Sequence, residues 1–232
     1  MPALSDIRWT DLRGEGPRLL VVPVGATEQH GPHLPLTTDT DIAVALAAAL
    51  DREREDVLLA PPVAFGSSGE HQAFPGTLSI GQHAVELLLV ELGRSAAETF
   101  PRILFVSAHG GNARPVARAV RRLRAEGRDV RAWTPGMTWR GDAHAGHTET
   151  AVMLALDAGR VRLDAREAGN TQPLGELMGD LRAGGVAVVS PNGVLGDPTR
   201  ATAEEGEALL LAAVDALAVA VRGWADEGSA WL

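Results

Sequence analysis

The chain has 232 residues, 45% of them hydrophobic, and a formal net charge of −9, which is enough apolar material for one sizeable core. Its acidic balance argues against nucleic acid as the main partner, because phosphate contacts need a basic face. Cysteine is absent and all 21 basic residues are arginine. That excludes disulfides, thiolate nucleophiles, lysine Schiff bases and a Walker lysine, and leaves histidine and carboxylate as metal ligands.

Arg18 to Val24 read as a buried strand, being short, apolar and rich in valine. The next stretch, Gly-Ala-Thr-Glu-Gln-His-Gly-Pro-His-Leu-Pro-Leu-Thr-Thr-Asp-Thr-Asp, crowds Glu28, His30, His33, Asp39 and Asp41 behind it. Glu28 and His30 are two residues apart, so in extended chain both leave one face and can converge on one ion. Such a pair suits zinc, iron or manganese. Gly31, Pro32 and Pro35 then turn the chain, and Asp39 falls where a helix begins, free to swing back as a third ligand. Taken residue by residue, the same stretch also suits a solvated polar loop.

Residues 40–54 are rich in alanine and read as a helix, and Val57 to Ala60 as the next strand. The Gly-rich segment from Phe65 to Gly81 is long for a connection, and such a loop either does functional work or is mobile. Within it Glu70 and His71 either line a pocket or cap the loop, and its glycines lack the spacing of a dinucleotide fingerprint. Residues 82–98 read as a helix with Val85, Leu88, Leu89 and Leu92 on one stripe. Ile103 to Val106 form a strand ending in Ser-Ala-His-Gly-Gly-Asn, so His109 emerges where that strand finishes. A basic amphipathic helix over 113–124 should present its arginines to solvent, followed by a strand from Val130 to Trp133. Residues 135–147 form a loop feeding a helix over 148–157, whose first turn holds Glu149, favoured there by the helix dipole. A short helix over 173–182, a strand over 186–189, turns over 192–200 and a long helix over 203–222 complete the chain.

Strands alternating with helices predict an α/β fold, a three-layer α/β/α sandwich with a largely parallel sheet, in a single domain spanning 1–232. Ligands in such folds gather beyond the carboxyl ends of strands, where independent segments deliver Glu28, His30 and His109 to one composite site. The first residues lack a basic region followed by an apolar one, so no signal peptide is expected. No apolar run is long enough to span a bilayer, and the expected location is the cytoplasm. A loop arginine, Arg140 beside Trp139, is a candidate grip for a substrate carboxylate, the alternative being a solvated loop charge. A serine hydrolase is disfavoured, since no Gly-x-Ser-x-Gly elbow occurs.

Four segments carry the chemistry: Glu28-x-His30 with Asp39, Glu70-His71 with the Phe-Pro-Gly-Thr that follows, His109-Gly-Gly-Asn112, and His144-Ala-Gly-His-Thr-Glu149. Their order and spelling resemble the creatininase family of metal-dependent amidohydrolases, from roughly residue 19 to the C-terminal helix. The resemblance implies two divalent metal ions (Zn2+ and/or Fe2+, with Mn2+ a further option) on Glu28, His30, Asp39 and His109, Asp39 bridging them. Creatininases proper carry a glutamate where this chain has Gly111, and Glu149 matches the replacement ligand of members that share His-Gly-Gly-Asn. His144 matches the catalytic histidine, the expected general acid for the leaving nitrogen, the alternative being a substrate-orienting group. The amides of Gly110 and Gly111 are placed to steady an oxyanion, and a small residue at 111 should leave room for a long substrate. His33 and His147 are expected behind the ligands and not among them.

Three stretches, Gly-Ser-Ser-Gly-Glu-His-Gln, His-Ala-Gly-His-Thr-Glu-Thr and Gly-Gly-Val-Ala-Val-Val-Ser-Pro-Asn-Gly-Val-Leu-Gly-Asp-Pro-Thr, are most similar to the mycofactocin-system branch of that family. That likeness implies a peptidase releasing the C-terminal dipeptide of a radical-modified ribosomal precursor peptide, assembled as a homo-oligomer. Hydrolysis of a small cyclic or formyl amide is the second expectation, and a metal-binding subunit without turnover the third.

Overall fold

The computed structural model describes residues 3–14, 18–54, 56–139 and 141–225. Strands β1 (Leu19–Val24), β2 (Val57–Leu59), β3 (Arg102–Ser107) and β4 (Asp129–Trp133) form one parallel sheet in the order β2-β1-β3-β4. Helices α1 (Thr38–Glu53), α2 (Gly81–Ala96) and α3 (Ala113–Ala125) make the crossovers. They are followed by α4 (His147–Asp157), α5 (Leu174–Gly184), α6 (Val186–Val189) and α7 (Ala203–Arg222).

The alternation of side chains along each strand builds both layers. Leu19, Val21, Leu104 and Val106 point into a core shared with Ile42 and Leu46 of α1, Val152 and Met153 of α4, and Leu217 and Val221 of α7. Leu20, Val22, Ile103 and Phe105 point the other way, onto Val85 and Leu89 of α2 and Val116 and Leu123 of α3. Central strands covered on both faces must be apolar at every position, which is why all six residues of β1 are buried. The expected three-layer α/β sandwich is thus observed.

Gly206 of α7 lies against the Ala151 carbonyl of α4, in space that a side chain would need, so those two helices approach backbone to backbone. Thr202 caps α7 with Glu205 in a reciprocal box, an arrangement that contributes about 1 kcal/mol. The arginines of α3 form the expected solvated face, with Arg114, Arg121, Arg122 and Arg124 exposed; Arg118, half-buried, pairs with Glu86 of α2, and Arg122 lies 3.5 Å from Glu126.

One element differs from expectation. Residues 186–189, expected as a strand, are the short helix α6. Gly185 adopts φ +76, a left-handed turn open to glycine that closes α5 and restarts the chain. Val186 and Val189 then join Leu177, Leu181, Leu195 and Phe74 in a third small core, away from the sheet.

Candidate metal centre

All the expected ligands lie beyond the carboxyl ends of the sheet. β1 runs into Glu28 and His30, β3 into His109, and the first turns of α1 and α4 carry Asp39 and Glu149. The approach is close because Gly25 sits against the Thr40 backbone, in a position no side chain could share. Thr40 Oγ1 also donates to the Ala26 carbonyl at 3.0 Å. These contacts press the start of α1 onto the end of β1 and bring Asp39 to the ligands of the preceding loop.

Glu28 and His30 are fully buried and Asp39 is 2% exposed. His30 Nε2 lies 3.3 Å from Asp39 Oδ1 and 3.9 Å from Glu149 Oε2. His109 Nδ1 lies 3.2 Å from Asp39 Oδ2, and its Nε2 is 3.2 Å from Glu28 Oε2. The two oxygens of Asp39 therefore face two different histidines. Both Glu28 carboxylate oxygens and Asp39 Oδ2 are buried without a hydrogen-bond partner. Orphaned buried carboxylate oxygens are costly unless a cation meets them, so this donor set fits divalent metal. Glu28, Asp39 and His109 form one group of donor atoms close enough to share an ion, and His30, Glu149 and His144 another. A third group joins Glu28, His71 and His144.

The electrostatics tell the same story. Burial, only partly offset by His109, pushes Glu28 up to about 8. Burial also works against a charge on His30 and on His109, but the surrounding carboxylates, Asp39 foremost for His30 and Glu28 for His109, push both up to about 10. Against its own burial, Asp39 is held well below the usual carboxylate range by those two histidines. Burial raises Glu149 to about 7, opposed by His30.

His144 Nδ1 lies 3.9 Å from Glu28 Oε1, and its ring centroid is 4.4 Å from that of His30. Burial and the charge of His30 keep it well below its ordinary value, hence neutral. Ala145, beside it, adopts φ +52, and its amide donates to Glu149 Oε2 at 2.6 Å. This tight turn brings His144 and Glu149 to the same side. His33 Nε2 contacts Thr150 Oγ1 at 2.8 Å, and His147 Nε2 contacts Glu205 Oε2 at 3.1 Å. Both histidines thus tie α4 to its neighbours from behind the cluster.

A cavity of ≈ 880 Å³ opens onto these groups, bounded by Glu28, Glu70, His71, His109, Gly110, Gly111 and His144 on one side. Leu174, Met178 and Leu181 of α5 and Val186 of α6 supply an apolar wall, and Arg114 and Arg182 also line the cavity. Trp139 packs on the main core, its Nε1 donating to the Leu209 carbonyl at 3.0 Å, and the cavity wall forms without it. Arg140 lies outside the described residues. Gly111, expected to leave room for a long substrate, lines the cavity, but a Cβ there would run into the Ser67 carbonyl and come within 2.9 Å of Glu70 Oε1. The glycine is needed for that close approach.

Two buried residues escaped sequence reasoning. Asn112 accepts from Ser67 N and donates to the Gly25 carbonyl, both at 2.9 Å, tying together the loops after β1, β2 and β3. Gln29 bridges His71, Gly193 and Gly31. The only signal for either was its place inside a ligand motif.

Residues 5–221 match the family profile described as Creatininase: Creatinine amidohydrolase. The mycofactocin precursor peptide peptidase of Mycolicibacterium smegmatis is 53% identical over 211 residues, covering 89% of this chain and 85% of that protein. The creatinine amidohydrolase of Pseudomonas putida is 26% identical over 254 residues, covering 94% of this chain and 95% of that protein. The solved structure titled Creatininase Mn superposes with a TM-score of 0.79 at 24% identity, covering 94% of this chain and 96% of that one.

Proposed function

The chain belongs to the creatininase family, and from that premise we propose that it is the mycofactocin-system peptidase that releases the C-terminal dipeptide of a radical-modified ribosomal precursor. The carrying observation is the 53% identity to a mycofactocin precursor peptide peptidase across most of both chains, against 26% to a creatinine amidohydrolase. Either relationship makes it a hydrolase of C–N bonds.

Glu28, Asp39 and His109 would hold one divalent ion and His30, Asp39 and Glu149 the other, zinc, iron or manganese suiting these nitrogen and oxygen donors. Ions held there would acidify a water near neutral pH and polarise an amide carbonyl. The chain's own groups do the rest. His144, neutral, takes the proton that the attacking water gives up and returns it to the leaving nitrogen. The Gly110 and Gly111 amides steady the charge that gathers on the carbonyl oxygen. The apolar wall of α5 accommodates side chains of an extended substrate, and Arg114 and Arg182 are the cations placed to meet peptide carboxylates. Glu70 borders the same space.

No helix among the described residues is long and apolar enough to cross a membrane, and the reading places the enzyme in the cytoplasm as a homo-oligomer, checked by its mass in solution. The function is tested by incubating metal-loaded protein with the modified precursor and reading products by mass spectrometry. Release of the C-terminal dipeptide, abolished by chelation, is expected; an intact precursor would overturn the assignment.

A further inference from the structure

Four histidines surround the cluster, each held at one ring nitrogen. For three of them the holding group is a backbone carbonyl. His30 Nδ1 lies 3.1 Å from the Glu28 carbonyl, His109 Nε2 3.0 Å from that of Ser67, and His144 Nε2 2.8 Å from that of Gln29. A carbonyl only accepts, so the held nitrogen carries the hydrogen, and in a neutral ring the other nitrogen is bare.

His71 is held the opposite way. Its Nδ1 lies 2.8 Å from Gln29 Nε2, an amide nitrogen that only donates. The orientation of that amide is fixed independently at both ends. Gln29 Oε1 accepts from Gly31 N at 2.8 Å, while Nε2 donates to the Gly193 carbonyl at 3.1 Å. Flipping the amide would set oxygen against oxygen and hydrogen against hydrogen. The two amide hydrogens are thereby committed to His71 and Gly193. The 3.1 Å approach of the same nitrogen to His144 Nε2 is a contact between two proton-bearing atoms. Gly193, at φ +81, makes room for this arrangement, since a Cβ there would overlap the Gln29 amide. With Nδ1 bare, the hydrogen of His71 sits on Nε2, which lies 3.2 Å from Glu28 Oε1 at the cavity wall. Glu28 Oε1 has no hydrogen-bond partner, so this N–H is not spent on it.

We propose that Gln29 is a positioning residue that locks His71 in the Nε2–H tautomer, making His71 a hydrogen-bond donor to the reacting carbonyl oxygen and not a metal ligand. A nitrogen bearing hydrogen has no lone pair for an ion, so the grouping of Glu28, His71 and His144 is not a metal site. The hydrogen stays on His71 as charge gathers on the substrate oxygen, and no bond to it breaks. The kinetic side rests on the peptidase reading; the tautomer does not.

The test is nitrogen-15 NMR of histidine-labelled protein, metal-free and zinc-loaded, with the His71 signal assigned by its disappearance in His71→Gln. An Nε2–H tautomer in both states is expected. An Nδ1–H tautomer, or a zinc-induced shift of Nε2 to a coordinated value, would overturn the proposal. In Gln29→Glu the carboxylate accepts but cannot donate, so His71 should switch to Nδ1–H. On the precursor, kcat should then fall on the order of 10²-fold, the scale of one lost oxyanion donor, with metal content unchanged and KM within about twofold of wild type. An unchanged kcat alongside a switched tautomer would contradict the donor role. If Gln29→Glu does not fold, the wild-type spectra decide; if the precursor is not cleaved at all, the function fails while the tautomer assignment stands.

Discussion

Replacing Glu28 with Gln should stabilise the metal-free protein while destroying its use. Glu28 is fully buried, both its oxygens lack a hydrogen-bond partner, and burial has raised it from 4.5 to about 8. An acid with a raised folded value keeps a proton that the unfolded chain has lost. The metal-free protein therefore loses stability as pH climbs from about 4.5 toward about 8. At pH 7 the folded chain holds that proton against about two and a half decades of proton affinity, at ~1.4 kcal/mol each, or about 3 kcal/mol. Glutamine pays none of this, although His109 loses a carboxylate partner, which leaves a gain of about 1–3 kcal/mol. For a chain of this size that is about 3–10 °C in Tm. The assay is thermal unfolding with chelator at pH 7 and pH 5, repeated with zinc. The variant should melt higher than wild type at pH 7, the gap should close at pH 5, and zinc should stabilise wild type only. A variant less stable at pH 7, or one that zinc stabilises equally, would refute the reasoning.

Glu149→Ala should lose metal by elemental analysis, whereas His144→Ala should keep it and lose ~10²–10⁴-fold in turnover; the opposite pattern would exchange their roles. Metal affinity should tighten as pH rises, because His30 and His109, both pushed up to about 10, must shed protons to bind; calorimetry in buffers of different ionisation enthalpy reads that release. Asn112→Ala should cost about 2–4 kcal/mol in denaturant unfolding, since Ser67 N and the Gly25 carbonyl both lose a buried partner. Gly111→Glu should not create creatinine hydrolysis and should lower precursor turnover, because its side chain meets the Ser67 carbonyl and Glu70.

The sheet and its crossover helices were legible because each depends on local pattern. Apolar runs announce buried strands, and among the proposed ligands Glu28, His30 and His109 stand out by donor type and by their place after a strand and Asp39 by its place at a helix start, whereas Glu149 stood out as a ligand only through the family resemblance. What stayed hidden depends on contacts across the chain. Gln29 meets its partners 42 and 164 residues away, and Asn112 bonds residues 45 and 87 away; neither is an ionisable type that draws notice. Val186 to Val189 misled because four apolar residues suit a strand or a buried helical turn equally, and the decision lies with Gly185 and with Phe74 and Leu195. Gly111 read as room for substrate, when the space beside it is taken by the Ser67 carbonyl.

The most direct measurement sets the two amide classes side by side: kcat/KM of one metal-loaded preparation for the modified precursor peptide and for creatinine. Cleavage of the precursor before its C-terminal dipeptide is expected, with a far smaller value for creatinine; brisk creatinine opening beside an untouched precursor would overturn the peptidase assignment.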